Sequence, residues 1–216
     1  MNPLRYIAVE GPIGVGKTTL STLLAEEFKA RLVLEEAEEN PFLPSFYKDP
    51  KKYAFQTQVF FLLSRYRQQK LLAQQDLFQQ FTVSDYIFAK DRIFAQMNLF
   101  GDEIGLYNNL FDLLGTQVPK PDLVIFLQAS VETLRQRIKK RGIPYEKSIS
   151  GQYIEALCQA YNQFFFQYDE TPLLTVNCTE IDIVHNQSDY KNLLKEILHM
   201  RKAKLDKHYV SISSKT

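Results

Sequence analysis

The sequence predicts an α/β fold, a three-layer α/β/α sandwich around a five-stranded parallel sheet. Three observations predict it. Short apolar runs alternate with stretches of helical length, the runs show little polar alternation, and a glycine-rich turn follows the first of them directly. Strands without polar alternation are covered on both faces, the pattern of parallel strands joined by helices. Right-handed crossovers then put ligands at the carboxyl ends of the strands.

The elements follow in order. Residues 5–10 (R-Y-I-A-V-E) read as the first strand, and the glycine-rich turn at 11–18 opens an amphipathic helix from Lys17 to about Phe28. R-L-V-L-E at 31–35 is the second strand, followed by a long helix from about 51 to 78. F-T-V-S at 81–84 is a short third strand, with a helix at 86–98 after it. D-L-V-I-F-L at 122–127 is the clearest strand. The helix after it, 131–141, stops at Gly142 and Pro144. A helix at 150–168 then leads to a fifth strand at 173–176. With no internal repeat or low-complexity linker, residues 1–200 read as one domain. Residues 201–216 read as a basic tail, solvated and partly disordered.

Composition narrows the classes of partner. A formal net charge of +1 on 216 residues produces no global field toward nucleic acid or an anionic membrane, so neither partner is expected. No apolar run approaches the roughly 20 residues of a membrane span, and none of signal-peptide length precedes Glu10. A cytoplasmic protein is the expectation. Cys158 and Cys178 have no metal-ligand spacing and read as free thiols. His185, His199 and His208 are scattered, and no metal or catalytic role is assigned to them.

The turn G-P-I-G-V-G-K-T is a phosphate-binding P-loop. Gly11, Gly14 and Gly16 allow torsions that aim successive backbone N–H groups at phosphate oxygens, with Pro12, Ile13, Val15 and the following Thr19 completing the nucleotide cradle. Lys17 places an ammonium on the outer phosphates, and the Thr18 hydroxyl can ligate Mg²⁺. The helix that starts here points its positive end at the same anion. Such a loop identifies a triphosphate donor and leaves the acceptor open, since GTPases, ATPases, motors and small-molecule kinases all carry one.

Four further sets of residues bear on the acceptor. Glu35 and Glu36 close the second strand, where a carboxylate can act as base on an alcohol or can simply be solvated. Gln58, Phe61 or Leu62, and Arg65 share one face of the long helix, suited to gripping a flat heterocycle or to a structural salt bridge. Asp85, where a strand gives way to a helix, can hold Mg²⁺ opposite Thr18 or cap that helix, and Asp91 can pair with Arg65. Arg137 and Arg141, neighbours on one helix face before Gly142 and Pro144, fit a lid over residues 135–147 that closes on the transferring phosphoryl group, or a solvated basic helix.

In this order, from about Tyr6 to Tyr168, these residues resemble the deoxynucleoside kinase family, P-loop kinases that include deoxycytidine, deoxyguanosine and bacterial deoxyadenosine kinases. The resemblance implies an ATP-dependent enzyme, with Mg²⁺, that phosphorylates the 5′-hydroxyl of a deoxynucleoside in nucleotide salvage, and a homodimer. It implies Glu36 as the base on the 5′-hydroxyl, Tyr47 and Glu146 on the sugar 3′-hydroxyl, and Gln58 on the nucleobase. Arg65 and Asp91 become the charged pair beside the exocyclic group, Asp85 the acidic residue of the D/E-R-S motif, and Arg137 and Arg141 the lid arginines. Two positions depart from that pattern. Tyr86 replaces an arginine that lies near the base carboxylate, with Lys90, Arg92 or a lid arginine as candidates to replace it, and Ala37 replaces a proline. A carboxylate near the nucleobase favours an exocyclic amino group over thymine, so a purine is expected, deoxyadenosine first, with deoxyguanosine or deoxycytidine as alternatives. Two rival readings are a thymidylate-type monophosphate kinase and a non-catalytic nucleotide-binding protein. The first would need arginines for an acceptor phosphate, yet residues 35–49 carry Glu35, Glu36, Glu38 and Glu39 and no arginine.

Overall fold

The computed structural model describes residues 5–75, 81–181, 186–203 and 206–211. Its sheet has six strands in the order β2-β3-β1-β4-β5-β6, where β1 is Tyr6–Glu10, β2 Arg31–Val33, β3 Thr82–Ser84, β4 Leu123–Gln128, β5 Leu173–Asn177 and β6 Lys207–Ser211. Every pairing is parallel. The eight α-helices among the described residues are α1 Lys17–Phe28, α2 Leu43–Lys48, α3 Pro50–Gln75, α4 Lys90–Asn98, α5 Asp102–Gly115, α6 Val131–Arg141, α7 Gly151–Gln167 and α8 Gln187–Ala203.

The period-2 direction of strand side chains divides the core into two layers. Ile7, Val9, Leu123, Ile125 and Leu127 face α1, α6 and α8, packing on Leu20, Leu24, Leu134, Ile138, Leu193 and Ile197. Tyr6, Ala8, Val124 and Phe126 face the other way, onto Ile93 of α4 and Leu157, Tyr161 and Phe165 of α7. A third cluster, including Leu43, Phe46, Leu62, Ala95, Leu99 and Tyr107, binds α2, α3, α4 and α5 together.

Several boundaries differ from the sequence expectation, each for a local reason. The sheet has six strands, not five, because residues 207–211 of the expected tail pair with β5. Lys-His-Tyr-Val-Ser is a polar edge strand with Tyr209 59% exposed, so it lacks the apolar run that marks an inner strand. The tail positions 204–205 and 212–216, including Lys204 and Lys215, lie outside the described residues, as do 76–78 at the expected end of the long helix. β2 stops at Val33 because the next ladder donor is diverted, the Glu35 N–H going to Asp85 Oδ1 at 2.7 Å. The helix expected from residue 86 begins at Lys90, because Glu10 Oε2 takes the Ile87 N–H at 3.0 Å and Ser84 Oγ donates to the Tyr86 carbonyl at 2.8 Å. α6 and α7 start at serines whose hydroxyls accept backbone N–H bonds, Ser130 from Thr133 and Ser150 from Tyr153.

Candidate active site

A cavity of about 460 Å³ opens at the carboxyl ends of the strands, within the range of small-ligand sites. Its donor side is the P-loop. Glu10, fully buried at the end of β1, accepts hydrogen bonds from the Gly11 N–H at 2.9 Å, the Ile87 N–H at 3.0 Å and the Tyr161 hydroxyl at 3.1 Å. One carboxylate thus ties the loop to the approach of α4 and to α7. A Cβ on Gly11 would stand 2.5 Å from the Leu127 carbonyl oxygen, so only glycine lets the loop press on β4. Gly14 has φ +83°, and a Cβ there would meet Ile138 Cγ1 at 2.8 Å, so α6 rests directly on the loop.

Ile13, Gly14, Lys17 and Thr18 line the cavity. Gly11, Pro12, Val15 and Gly16 shape the loop behind it, with Val15 buried in the core, while Thr19 is exposed on the first turn of α1. Lys17 Nζ folds over the loop and donates to the carbonyls of Gly11 (2.8 Å) and Pro12 (3.3 Å). Burial, followed by the charge of Lys90, holds this ammonium below the ordinary lysine range.

Asp85 links donor and acceptor sides. Its Oδ2 accepts from the Thr18 hydroxyl at 2.6 Å, and its Oδ1 accepts the Glu35 N–H. The two adjacent hard oxygens of Thr18 and Asp85 suit Mg²⁺, which takes few protein ligands and completes its octahedron with phosphate and water. Among the described residues there is no group of three or more His, Cys, Asp or Glu side chains that could hold a metal by themselves.

The acceptor side separates the two adjacent glutamates. Glu35 reaches into the cavity and forms ion pairs with Arg65 and with Lys90, whose Nζ lies 2.7 Å from Glu35 Oε2. Burial alone would raise the Glu35 carboxyl, but Arg65 and Lys90 outweigh it and hold it well below the ordinary carboxylate range. Glu36 lines the same cavity but is exposed, at the start of a 3-10 turn over Ala37–Glu39, and its side chain makes no hydrogen bond or ion pair among the described residues.

The face of α3 presents Gln58, Phe61 and Arg65 to the cavity, while Leu62 turns into the core. The Arg65 guanidinium lies over the Phe61 ring, 4.7 Å from its centroid. Gln58 is 2% exposed and its Oε1 has no hydrogen-bond partner among the described residues. Asp91 pairs with Arg65 as expected, but it is fully buried behind that arginine and does not line the cavity. Tyr47 and Glu146 both line it. The Tyr47 ring stacks on Tyr145 at 6.0 Å, and Glu146 is paired with Arg141, whose Nε donates to Oε2 at 3.1 Å.

The two arginines of α6 part company. Arg141 lines the cavity. Arg137 does not; it donates to the carbonyls of Val15, Cys178 and Ile181 at 3.0, 3.1 and 3.3 Å, bracing α6 against the P-loop and the segment after β5.

The family model for deoxynucleoside kinase matches residues 7–201. The chain belongs to the deoxynucleoside kinase family. It is 38% identical over 202 residues to deoxyguanosine kinase of Bacillus subtilis (strain 168), covering 91% of this chain and 98% of the relative. It is 33% identical over 210 residues to deoxyadenosine kinase of Lactobacillus acidophilus, covering 90% and 95%. The solved structure of deoxyadenosine kinase from M. mycoides with bound dATP superposes with a TM-score of 0.78 at 28% identity, covering 90% of this chain and 99% of that one. This deoxynucleoside kinase is accordingly a phosphotransferase with an alcohol group as acceptor. Among the described residues no helix is long and apolar enough to cross a membrane.

Within this kinase the sequence reading overlooked Glu10 and Tyr161, whose roles depend on contacts 77 and 151 residues away. Lys90 stood only as one of several candidates. Lys90 is 2% exposed and pairs with Glu35, whereas Arg92 pairs outward with Asp112 and Tyr86 is fully buried with its hydroxyl on Gln68 Oε1 at 2.8 Å.

Proposed function

We propose that the chain transfers the γ-phosphoryl group of ATP to the 5′-hydroxyl of a purine deoxynucleoside, deoxyadenosine first. The observation that carries a nucleobase acceptor is Gln58, a buried amide whose Oε1 has no partner among the described residues, beside the aromatic face of Phe61. Asp91 lies behind Arg65 and does not select the base, so the choice of a purine rests on the relatives named deoxyguanosine and deoxyadenosine kinase. A flat base stacked on Phe61 with an amino group or ring N–H directed at Oε1 satisfies that acceptor, and the Gln58 amide N–H can meet a ring nitrogen. Deoxyguanosine is the second reading, favoured by the 38% identity to a protein named deoxyguanosine kinase. The acidic lining from Glu35, Glu36, Glu38 and Glu39 repels an acceptor phosphate and so argues against a nucleoside monophosphate.

The residues divide the work of an in-line transfer. The loop N–H groups and the start of α1 bind the triphosphate, and Lys17 leaves the Gly11 and Pro12 carbonyls for the outer phosphates. Thr18 and Asp85 hold Mg²⁺, which when bound supplies charge neutralisation at those phosphates. Glu35, rather than Glu36, orients the 5′-hydroxyl and accepts its proton, because it is the carboxylate directed inward beside Lys17 and Asp85. A loose transition state asks for positioning more than for a strong base, which suits a carboxylate held so low. Tyr47 and Glu146 take the sugar 3′-hydroxyl, and Arg141 exchanges Glu146 for the transferring phosphoryl group as the lid closes. Asp91 acts through Arg65, and Arg137 through the backbone of the loop.

The deciding experiment is a steady-state panel of the four deoxynucleosides and their monophosphates with ATP and Mg²⁺. A purine deoxynucleoside should give the highest kcat/KM. Thymidine or a monophosphate as best substrate overturns the reading. A homodimer in the cytoplasm is part of this proposal by family likeness, and sedimentation at micromolar concentration checks the dimer.

A further inference from the structure

We propose that Lys90 positions Glu35 for catalysis from the phosphate side of the site, while Arg65 holds the other carboxylate oxygen from the nucleobase side. The proposal rests on the reading of Glu35 as the group that takes the 5′-hydroxyl. Besides Lys90, five cations near this end of the fold matter here, and four of them have other attachments. Lys17 lies on the P-loop carbonyls, Arg92 on Asp112, Arg137 on three backbone carbonyls, and Arg141 on Glu146. Arg65 reaches Glu35 through Oε1 but is shared with Asp91 and held over Phe61, on the nucleobase side.

Lys90 differs in each respect. It is 2% exposed, it lines the cavity, and its one ion pair among the described residues is with Glu35 Oε2 at 2.7 Å. It stands on the first residue of α4, five positions after Asp85, whose carboxylate holds the Glu35 backbone. Main chain and side chain of Glu35 are therefore fixed from the same β3–α4 segment. An ammonium with three donors can keep Glu35 and still present a hydrogen to an entering oxygen, which a planar fork locked to two carboxylates does less readily. The charge of Lys90 is also felt at Lys17, so it stands toward the phosphates. The Tyr86 hydroxyl donates to Gln68 and makes no hydrogen bond to Glu35 among the described residues.

The test compares wild type, Lys90→Met, Lys90→Arg, Glu35→Gln and the Glu35→Gln/Lys90→Met double variant, with folding checked by circular dichroism and binding of a fluorescent ATP analogue. Lys90→Met should lower kcat about 100-fold while KM for ATP changes less than about twofold, and Lys90→Arg should recover most of the loss. In the Glu35→Gln background the same change should cost little more, since the two residues act as one unit. A Lys90→Met enzyme with wild-type kcat, or losses that simply multiply in the double variant, overturns the proposal. If Lys90→Met unfolds, Lys90→Gln decides: a wild-type kcat overturns the proposal, and a loss of about 100-fold that Lys90→Arg recovers supports it. A wild type without turnover on any deoxynucleoside overturns the functional reading as well, whereas an active wild type indifferent to Lys90 overturns only this one.

Discussion

The hydroxyl of Thr18 donates to Asp85 Oδ2 at 2.6 Å across 67 residues of sequence, joining the start of α1 to the end of β3. Because Asp85 Oδ1 also takes the Glu35 N–H, one carboxylate sets the distance between the phosphate cradle and the acceptor carboxylate. Asp85→Asn keeps the shape but puts an NH₂ against one of these donors and weakens any shared Mg²⁺ site. We expect kcat to fall at least about 100-fold and the Mg²⁺ concentration for half-maximal rate to rise. A Mg²⁺ titration of the variant checks this, and an unchanged midpoint would remove Asp85 from the metal site.

Glu35 and Glu36 should respond oppositely to the same substitution. Glu35→Gln should lower kcat by about 100-fold or more, while Glu36→Gln, at the exposed rim, should stay within about threefold of wild type. Coupled ADP-release assays on both variants decide it. The reverse ranking would return the base to Glu36.

The depressed Glu35 carboxyl also sets a direction for stability with pH. A group held lower in the folded state than its unfolded value of about 4.3 stabilises the fold fully above that value, and the contribution is lost as pH falls through the folded value. Urea midpoints between pH 7 and pH 3 should therefore drop less for Glu35→Gln than for wild type at the acid end. Parallel curves would show that the pair adds no linked stability.

Glu10 has three donors and no exposure, so replacing one carboxylate oxygen by NH₂ must set a donor against a donor. Glu10→Gln should cost about 1–3 kcal/mol of unfolding free energy. It should also raise KM for ATP through the displaced loop. Denaturant unfolding with unchanged m-value checks the first, and a stability equal to wild type would contradict the brace.

Tyr86→Phe removes a hydroxyl that faces Gln68 and not the cavity. Turnover should stay within about twofold, with a stability loss of about 0.5–1.5 kcal/mol. A large loss of kcat would place that phenol in the reaction.

How much of this was legible in the chain divides along physical lines. Local chemistry was. The P-loop is a continuous run whose glycines, lysine and threonine have their function built into their spacing, and Gln58, Phe61 and Arg65 share a face by helical period alone. The parallel layering also followed from apolar runs without alternation. The tertiary structure decided what sequence neighbours cannot distinguish. Glu35 and Glu36 differ only in direction at a strand end, and that direction is set by Asp85 capturing the Glu35 N–H. Arg137 and Arg141 share a helix face, yet the first meets carbonyls of the P-loop and of the segment after β5, and the second meets Glu146. Edge strand β6 carries no inner-strand signal, because one face of pairing suffices to hold it. Lys90 is likewise placed only by the fold, since a lysine at a helix start is ordinary until burial sets it against the Glu35 carboxylate.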